Sequence, residues 1–387
     1  CPDGHRSVPR AHLTDLEGPS ASRTPGRHGT PATGHVYCGR VTLDPHLVGE
    51  RPFDAGGAAL ADVGERALLR ALTEIARPTS VTLAVGSVYD AAVLSPEPGR
   101  DFGMSMDALV EGIDFRRSWI SPRRLGARAL TVALSDLAGM GARPAWCSAT
   151  LCAPASTCFE DVLEVQRGLC AAAVSAGCAV AGGDVSAIDG PLVIDVSVGG
   201  TVAAGQMLRR NAGRPGDVVV VTGTLGRAAA GLRLLLDGGD VLSEQERAWV
   251  DAQLSPVARI SEGLELVASG VRCGGDISDG LLVELERITD LSGCAAEIWL
   301  DRLPVEQALV MDFGAAWPDL AVGGGEDFEL VATLPRHEAE ALLDSWPGSL
   351  APLTIVGCLR EGAGVAVLDL EGGISVARPH TSSRHFA

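Results

Sequence analysis

A mixed α/β or α+β chain of two domains is the fold the sequence predicts, on three observations. Short apolar strand-like runs alternate with amphipathic helical stretches along most of the chain. The 387 residues, 46% of them hydrophobic, suffice for two cores. A polar, turn-rich break, Leu208-Arg209-Arg210-Asn211-Ala212-Gly213-Arg214-Pro215-Gly216-Asp217, divides the chain. The expected organisation is a poorly ordered extension over residues 1–58, an N-terminal domain over 59–205 and a C-terminal domain over 206–387.

The extension is rich in Pro, Gly, Ser, Thr, His and Arg and has no sustained period. From Asp62 to Ile75 apolar residues recur at spacings of three and four, the mark of an amphipathic helix. Two short β-type runs lie within 81–94, and Phe102 to Leu109 reads as a strand with Asp107 at its end. Ser121-Pro122 is a cap followed by proline at the first helical position, so a helix runs from there to Met140, stopped by Gly141. A strand over 146–152, a helix over 159–176 and a buried strand Ala179–Ala181 ending at Gly182-Gly183-Asp184 follow. Over 191–202 Leu192, Ile194, Val196 and Val198 alternate on one face of a half-buried strand.

Beyond the break come an apolar strand Val218–Val221, a loop Thr222–Gly226 read as structural, and a helix Arg227–Leu236. Helical stretches are expected over 237–255, 257–269 and 280–291, and a strand over 328–332 after the acidic loop Gly323–Asp327.

A net charge of −18 and a pI near 4.8 argue against nucleic acid or an anionic membrane as partner. All 31 basic residues are arginine, which excludes a Walker-type lysine. No apolar segment reaches the length of a membrane span, and the ten cysteines, without a Cys-x-x-Cys pair, suit buried thiols in a reduced, cytoplasmic setting. No histidine lies between His46 and His337, so chemistry in the body of the chain falls to carboxylates, metal and backbone.

Three small-small-acid segments carry that chemistry: Gly182-Gly183-Asp184, Cys273-Gly274-Gly275-Asp276-Ile277-Ser278-Asp279-Gly280 and Gly323-Gly324-Gly325-Glu326-Asp327. Glycines let main-chain N–H groups approach an anion, and carboxylates are the preferred ligands of Mg²⁺. Asp136 sits in a strongly apolar helix, where an unpaired carboxylate is costly, so it is expected to serve as a ligand or to be paired.

With Gly64-Glu65, Asp90-Ala91-Ala92-Val93-Leu94, Asp107-Ala108-Leu109-Val110-Glu111-Gly112, Leu134 to Ala142 and Val221-Thr222-Gly223-Thr224, these blocks span residues 62–386 in one order. Together they resemble thiamine-monophosphate kinase, of the superfamily that includes aminoimidazole ribonucleotide synthetase, selenophosphate synthetase and a hydrogenase maturation factor. The resemblance implies a two-domain subunit of that type, paired through its N-terminal sheet in a homodimer, with ATP and Mg²⁺ between the domains. It suggests Asp90, Asp107, Asp136, Asp184, Asp276 and Asp279 as metal ligands, with Asp276, Asp279 and Asp184 catalytic. Gly183, Asp184, Arg210 and Ser278 would meet the nucleotide, and Asp114 and Glu326 the acceptor. Phosphoryl transfer by positioning and charge neutralisation fits a chain without lysine or central histidine. This chain departs from the family pattern at Val88-Tyr89, in place of Gly-Asp; at Met106, in place of threonine; and at Asp114, in place of histidine. The alternatives are a diverged relative that activates a carbonyl or amide oxygen, and a non-catalytic nucleotide-binding dimer.

Overall fold

The computed structural model describes residues 98–238 and 242–369, together with 51, 53, 56–63, scattered positions between 68 and 94, and 374–375. The expectations for residues 1–50 and for Val88-Tyr89-Asp90 lie outside the described residues. Helix α1 (Leu60–Val63) and the helical positions 68, 71, 72 and 75 match the expected amphipathic segment. Strands β1 (Leu83–Val85) and β2 (Val93–Leu94) pair antiparallel.

The first large sheet has four strands in the order β3 (Arg100–Val110), β6 (Val193–Ala203), β4 (Arg143–Ala153), β5 (Ala179–Ala187). Its inner face carries Leu109, Leu151, Ile194, Val196 and Val198, all buried beneath α2 (Pro122–Gly139) and α3 (Phe159–Ser175). Its outer face exposes Phe102, Met104 and Met106 at alternate positions of β3. The expected end of a strand at Gly182-Gly183-Asp184 is corrected: β5 continues through them to Ala187. The glycine is there because a Cβ on Gly183 would stand 2.2 Å from the Ala149 carbonyl oxygen of the neighbouring strand.

Helix α2 starts where Ser121 caps it, its hydroxyl accepting from Arg124 N, and ends before Gly141 at φ +65°. It packs on α3 backbone to backbone: a Cβ on Gly126 would lie 1.8 Å from the Val165 carbonyl oxygen, and one on Gly168 1.8 Å from that of Arg123.

The second large sheet has seven strands, ordered β13 (Ile374–Ser375), β12 (Gly364–Leu368), β9 (Ala295–Trp299), β11 (Leu353–Arg360), β7 (Asp217–Thr222), β10 (Glu329–Pro335), β8 (Cys273–Ile277). Its helices are α4 (Arg227–Asp237), α5 (Glu244–Leu254), α6 (Ile260–Ala268), α7 (Leu281–Ser292), α8 (Gln307–Phe313), α9 (Trp317–Val322) and α10 (Arg336–Ser345). The helical stretch expected over 237–255 is shorter: α5 starts at Glu244, where Ser243 and Glu246 form a reciprocal capping box. Likewise α6 starts at Ile260, three residues later than expected. Among the described residues no helix is long and apolar enough to cross a membrane.

Since Gly126 and Gly168 leave no room for a methyl group against a neighbouring carbonyl, Gly126→Ala and Gly168→Ala are each expected to destabilise the protein by about 1–3 kcal/mol. Thermal melting checks this, and an unchanged midpoint for both would mean that the helix pair does not set the spacing of this half.

Candidate active site between the two sheets

Helix α2 runs between the two sheets and meets the second with one stripe: Arg124, Arg128, Ser135 and Gly139 recur at helical spacings of four, seven and four. Arg124 donates to Asp251 at 2.7 Å and to Ser255 at 2.8–2.9 Å. Ser135 Oγ donates to Asp276 Oδ2 at 2.8 Å, and a Cβ on Gly139 would stand 2.7 Å from Asp276 N. This contact seats the end of β8 directly against α2.

Asp276 is the penultimate residue of β8 and is 3% exposed. Burial pushes its carboxyl up to about 7, aided by the negative charges of Asp136 and Glu284 and opposed by the Ser135 hydroxyl and Arg210. Asp107, on the inner face of β3, is likewise pushed up to about 7, by burial first and then by Asp136, Asp276, Asp114 and Asp195. Asp136 accepts a hydrogen bond from the Ser105 hydroxyl, the partner its apolar surroundings call for. Three of the expected acids, Asp107, Asp136 and Asp276, therefore come together from both halves of the chain. They stand at electrostatic range: among the described residues no three His, Cys, Asp or Glu are grouped tightly enough to hold a metal ion.

The other expected residues are placed as follows. Asp184 lies on the opposite, outer side of the first sheet, in a cross-strand row with Thr150 and Asp195. Asp90 lies outside the described residues. Arg210 grips the buried Glu284 with Nε at 2.5 Å and Nη2 at 3.1 Å, and its Nη2 is 4.0 Å from Asp276. Asp279, at the entrance to α7, pairs with Arg287 at 2.5 Å. Asp114 accepts from Val110 N at 2.8 Å, closing the turn after β3. Gly183 and Asp184 border an apolar cavity of about 130 Å³ that includes Val162, Leu169 and Gln166.

Glu326 is tied to the Asp276–Asp279 loop through its backbone, its N–H donating to the Ser278 carbonyl at 2.7 Å. It is left-handed at φ +68°, and among the described non-glycine residues only Phe328 shares a positive φ. Its carboxylate receives Arg128 Nη2 at 2.6 Å and the Gln253 side-chain amide. Sequence reading passed over Arg128; the signal was a lone arginine in the apolar run Leu125–Leu134, the same argument that singled out Asp136.

In the loop Thr222–Gly226, read from the sequence as structural, main-chain N–H groups are taken by side chains of this chain. Asp327 accepts from Gly226 N at 2.6 Å and Ala228 N at 3.1 Å, satisfying the start of α4, and Glu329 takes the Thr222 hydroxyl and a two-pronged Arg259. Asp327 and Glu329 border a cavity of about 990 Å³ whose arginines, Arg123, Arg124, Arg227 and Arg259, are each paired with an acid.

The sequence of this site matches known proteins. Residues 88–202 match the family model "AIR synthase related protein, N-terminal domain", and residues 214–367 match its C-terminal counterpart. Thiamine-monophosphate kinase of Salmonella typhimurium is 36% identical over 339 residues, 84% of this chain and 98% of that protein. The chain belongs to the thiamine-monophosphate kinase family. The family's Bacillus subtilis enzyme is 31% identical over 285 residues, covering 73% of this chain and 87% of its own length. Among solved structures, thiamine-monophosphate kinase of Stenotrophomonas maltophilia superposes with a TM-score of 0.70 at 34% identity, over 79% of this chain and 95% of that one. AaThiL complexed with AMPPCP and TMP gives 0.65 at 28% identity, over 82% of this chain and 96% of that one. The Escherichia coli hydrogenase maturation protein HypE, at 20% identity and a TM-score of 0.66, shares the fold.

Burial pushes the Asp327 carboxyl up to about 7, against its two amide partners and Arg227. Asp327→Ala leaves two N–H groups without acceptors, at about 1–3 kcal/mol each, whereas Asp327→Asn keeps an acceptor and loses less. Urea unfolding of the two variants checks the order; equal losses would contradict the capping role.

Proposed function

We infer that this protein is an ATP-dependent kinase that transfers the γ-phosphoryl group to thiamine monophosphate, giving thiamine diphosphate and ADP. The observation that carries the reading is the meeting of Asp107, Asp136 and Asp276 from both halves of a chain whose relatives of similar length are thiamine-monophosphate kinases. The AaThiL complex with an ATP analogue and TMP supports the same pair of substrates.

Magnesium fits the residues present. The donors are oxygens only, and the mutual repulsion that lifts Asp107 and Asp276 is what a divalent cation would relieve. Asp107, Asp136 and Asp276 stand too far apart to form a closed cage, so they would share it with phosphate oxygens and water. Asp90, Asp184 and Asp279 are the other ligands proposed from the sequence, Asp184 standing apart from that group within one chain. Bound there, it would neutralise phosphate charge. The chain's own part is positioning. Arg210, braced by Glu284, presents its guanidinium beside Asp276 and would face the phosphates, with the Ser278 hydroxyl on the same loop. Gly183 admits close approach at the apolar cavity, where a flat base would rest beside Gln166. Glu326 and Asp114 would meet the acceptor, and Asp276, Asp279 and Asp184 are the acids proposed to be essential for transfer.

We place the domain limits at 59–205 and 206–387 and the enzyme in the cytoplasm, as a homodimer. What supports the dimer is the outer sheet face, where Phe102, Met104 and Met106 are 50%, 57% and 58% exposed in a row.

Purified protein with ATP, Mg²⁺ and thiamine monophosphate should yield ADP and thiamine diphosphate in equal amounts. ADP formed only with another acceptor would favour the diverged relative, and nucleotide binding without turnover the non-catalytic dimer. Asp276→Asn should lower kcat by about a hundredfold or more while melting no earlier than the parent, since it keeps an acceptor for Ser135 and removes a buried like charge. Retained turnover would remove Asp276 from the site. Met104→Glu combined with Met106→Glu should convert a dimer to a single chain in analytical ultracentrifugation; an unchanged dimer would place the interface elsewhere.

A further inference from the structure

We propose that Arg128 and Gln253 are positioning residues for the acceptor, fixing the Glu326 carboxylate in one orientation and thereby setting acceptor specificity. This rests on the reading of Glu326 as an acceptor contact.

Three features carry it. Arg128 projects from the middle of α2 with its side chain 1% exposed, and it meets Glu326 Oε1 at 2.6 Å across a sequence separation of 198 residues. Its other terminal nitrogen donates to the Gln253 main-chain carbonyl, so the guanidinium is locked between two elements and cannot follow solvent. Gln253, 4% exposed on α5, donates its side-chain amide to the second oxygen of Glu326, while its own Oε1 has no hydrogen-bond partner among the described residues. A buried amide with a stranded oxygen is a poor choice for packing alone, which an apolar residue would serve better.

The backbone gives the third feature. Glu326 adopts φ +68° directly after Gly323-Gly324-Gly325, where a fourth glycine would be free of strain. Retaining a side chain there makes sense if the carboxylate itself is used. With its N–H fixed on the Ser278 carbonyl and each oxygen holding one donor, Glu326 has one remaining lone-pair direction on each oxygen. Its side chain is 32% exposed, so those directions are open to an incoming group. A carboxylate so aimed suits a cationic heterocycle carrying an amino group.

The test is steady-state kinetics of Arg128→Gln, Arg128→Lys, Gln253→Met and Glu326→Gln, varying thiamine monophosphate and MgATP separately. Arg128→Gln should raise KM for thiamine monophosphate about tenfold with KM for ATP within about twofold, and Arg128→Lys should recover part of the loss. Gln253→Met should move the same constant in the same direction. The double variant Arg128→Gln/Glu326→Gln should be no worse than Glu326→Gln alone, because Arg128 acts only through that carboxylate. If Arg128→Gln fails to fold, Arg128→Lys and Gln253→Met carry the measurement. Effects that add, or that fall equally on ATP, would overturn the proposal. Should Glu326→Gln raise KM while the Arg128 and Gln253 variants do not, the proposal fails and the acceptor reading of Glu326 stands. No effect of Glu326→Gln on the acceptor ends both.

Discussion

Asp107, Asp136 and Asp276 repel one another, and the α2 helix holds them together against that repulsion. The hydroxyl of Ser135 binds Asp276, Gly139 brings β8 within backbone contact, and Asp136, one residue beyond Ser135, reaches back to Ser105 on β3. A single turn of helix thus addresses both sheets. Burial makes the arrangement tense, since carboxylates pushed up to about 7 release a proton readily when a cation arrives. Stability is given up where charge will be needed, the usual trade at a phosphoryl-transfer site.

The same helix carries a second link about two and three turns earlier. Arg128 reaches Glu326 and Arg124 reaches Asp251, so the proposed acceptor contact and the group of Asp107, Asp136 and Asp276 are tied to one helix. Asp114, where the family carries histidine, spends one oxygen on the Val110 amide and adds its charge to the field on Asp107. Asp184, on the outer face of the first sheet, stands apart from this group within one chain, on the same side as Phe102, Met104 and Met106.

Much of this was legible in the sequence because the signals are local. Ser121-Pro122 and Gly141 bracket α2 to within two residues, and the alternation of Leu192, Ile194, Val196 and Val198 named the buried face of β6. The acid motifs stood out by composition alone. What stayed hidden was non-local. Gly182-Gly183-Asp184 looked like a strand end because the carbonyl that requires glycine belongs to Ala149, on another strand. The strands β9, β11 and β12 are not marked by any local motif; they are fixed by pairing with strands distant in sequence, β11 with β7 and β9, and β12 with β9. The pairing of Arg128 with Glu326 cannot be read from either end; a lone buried charge shows only that some partner exists.

The central claim is that carboxylates from the two halves act as one site. Calorimetric binding of a non-hydrolysable ATP analogue with Mg²⁺ to the parent, Asp107→Asn, Asp276→Asn and the double variant tests it most directly. If the two acids hold the same magnesium-nucleotide, the double variant should bind about as weakly as the worse single one. Losses that multiply, each variant acting as though the other were absent, would contradict it.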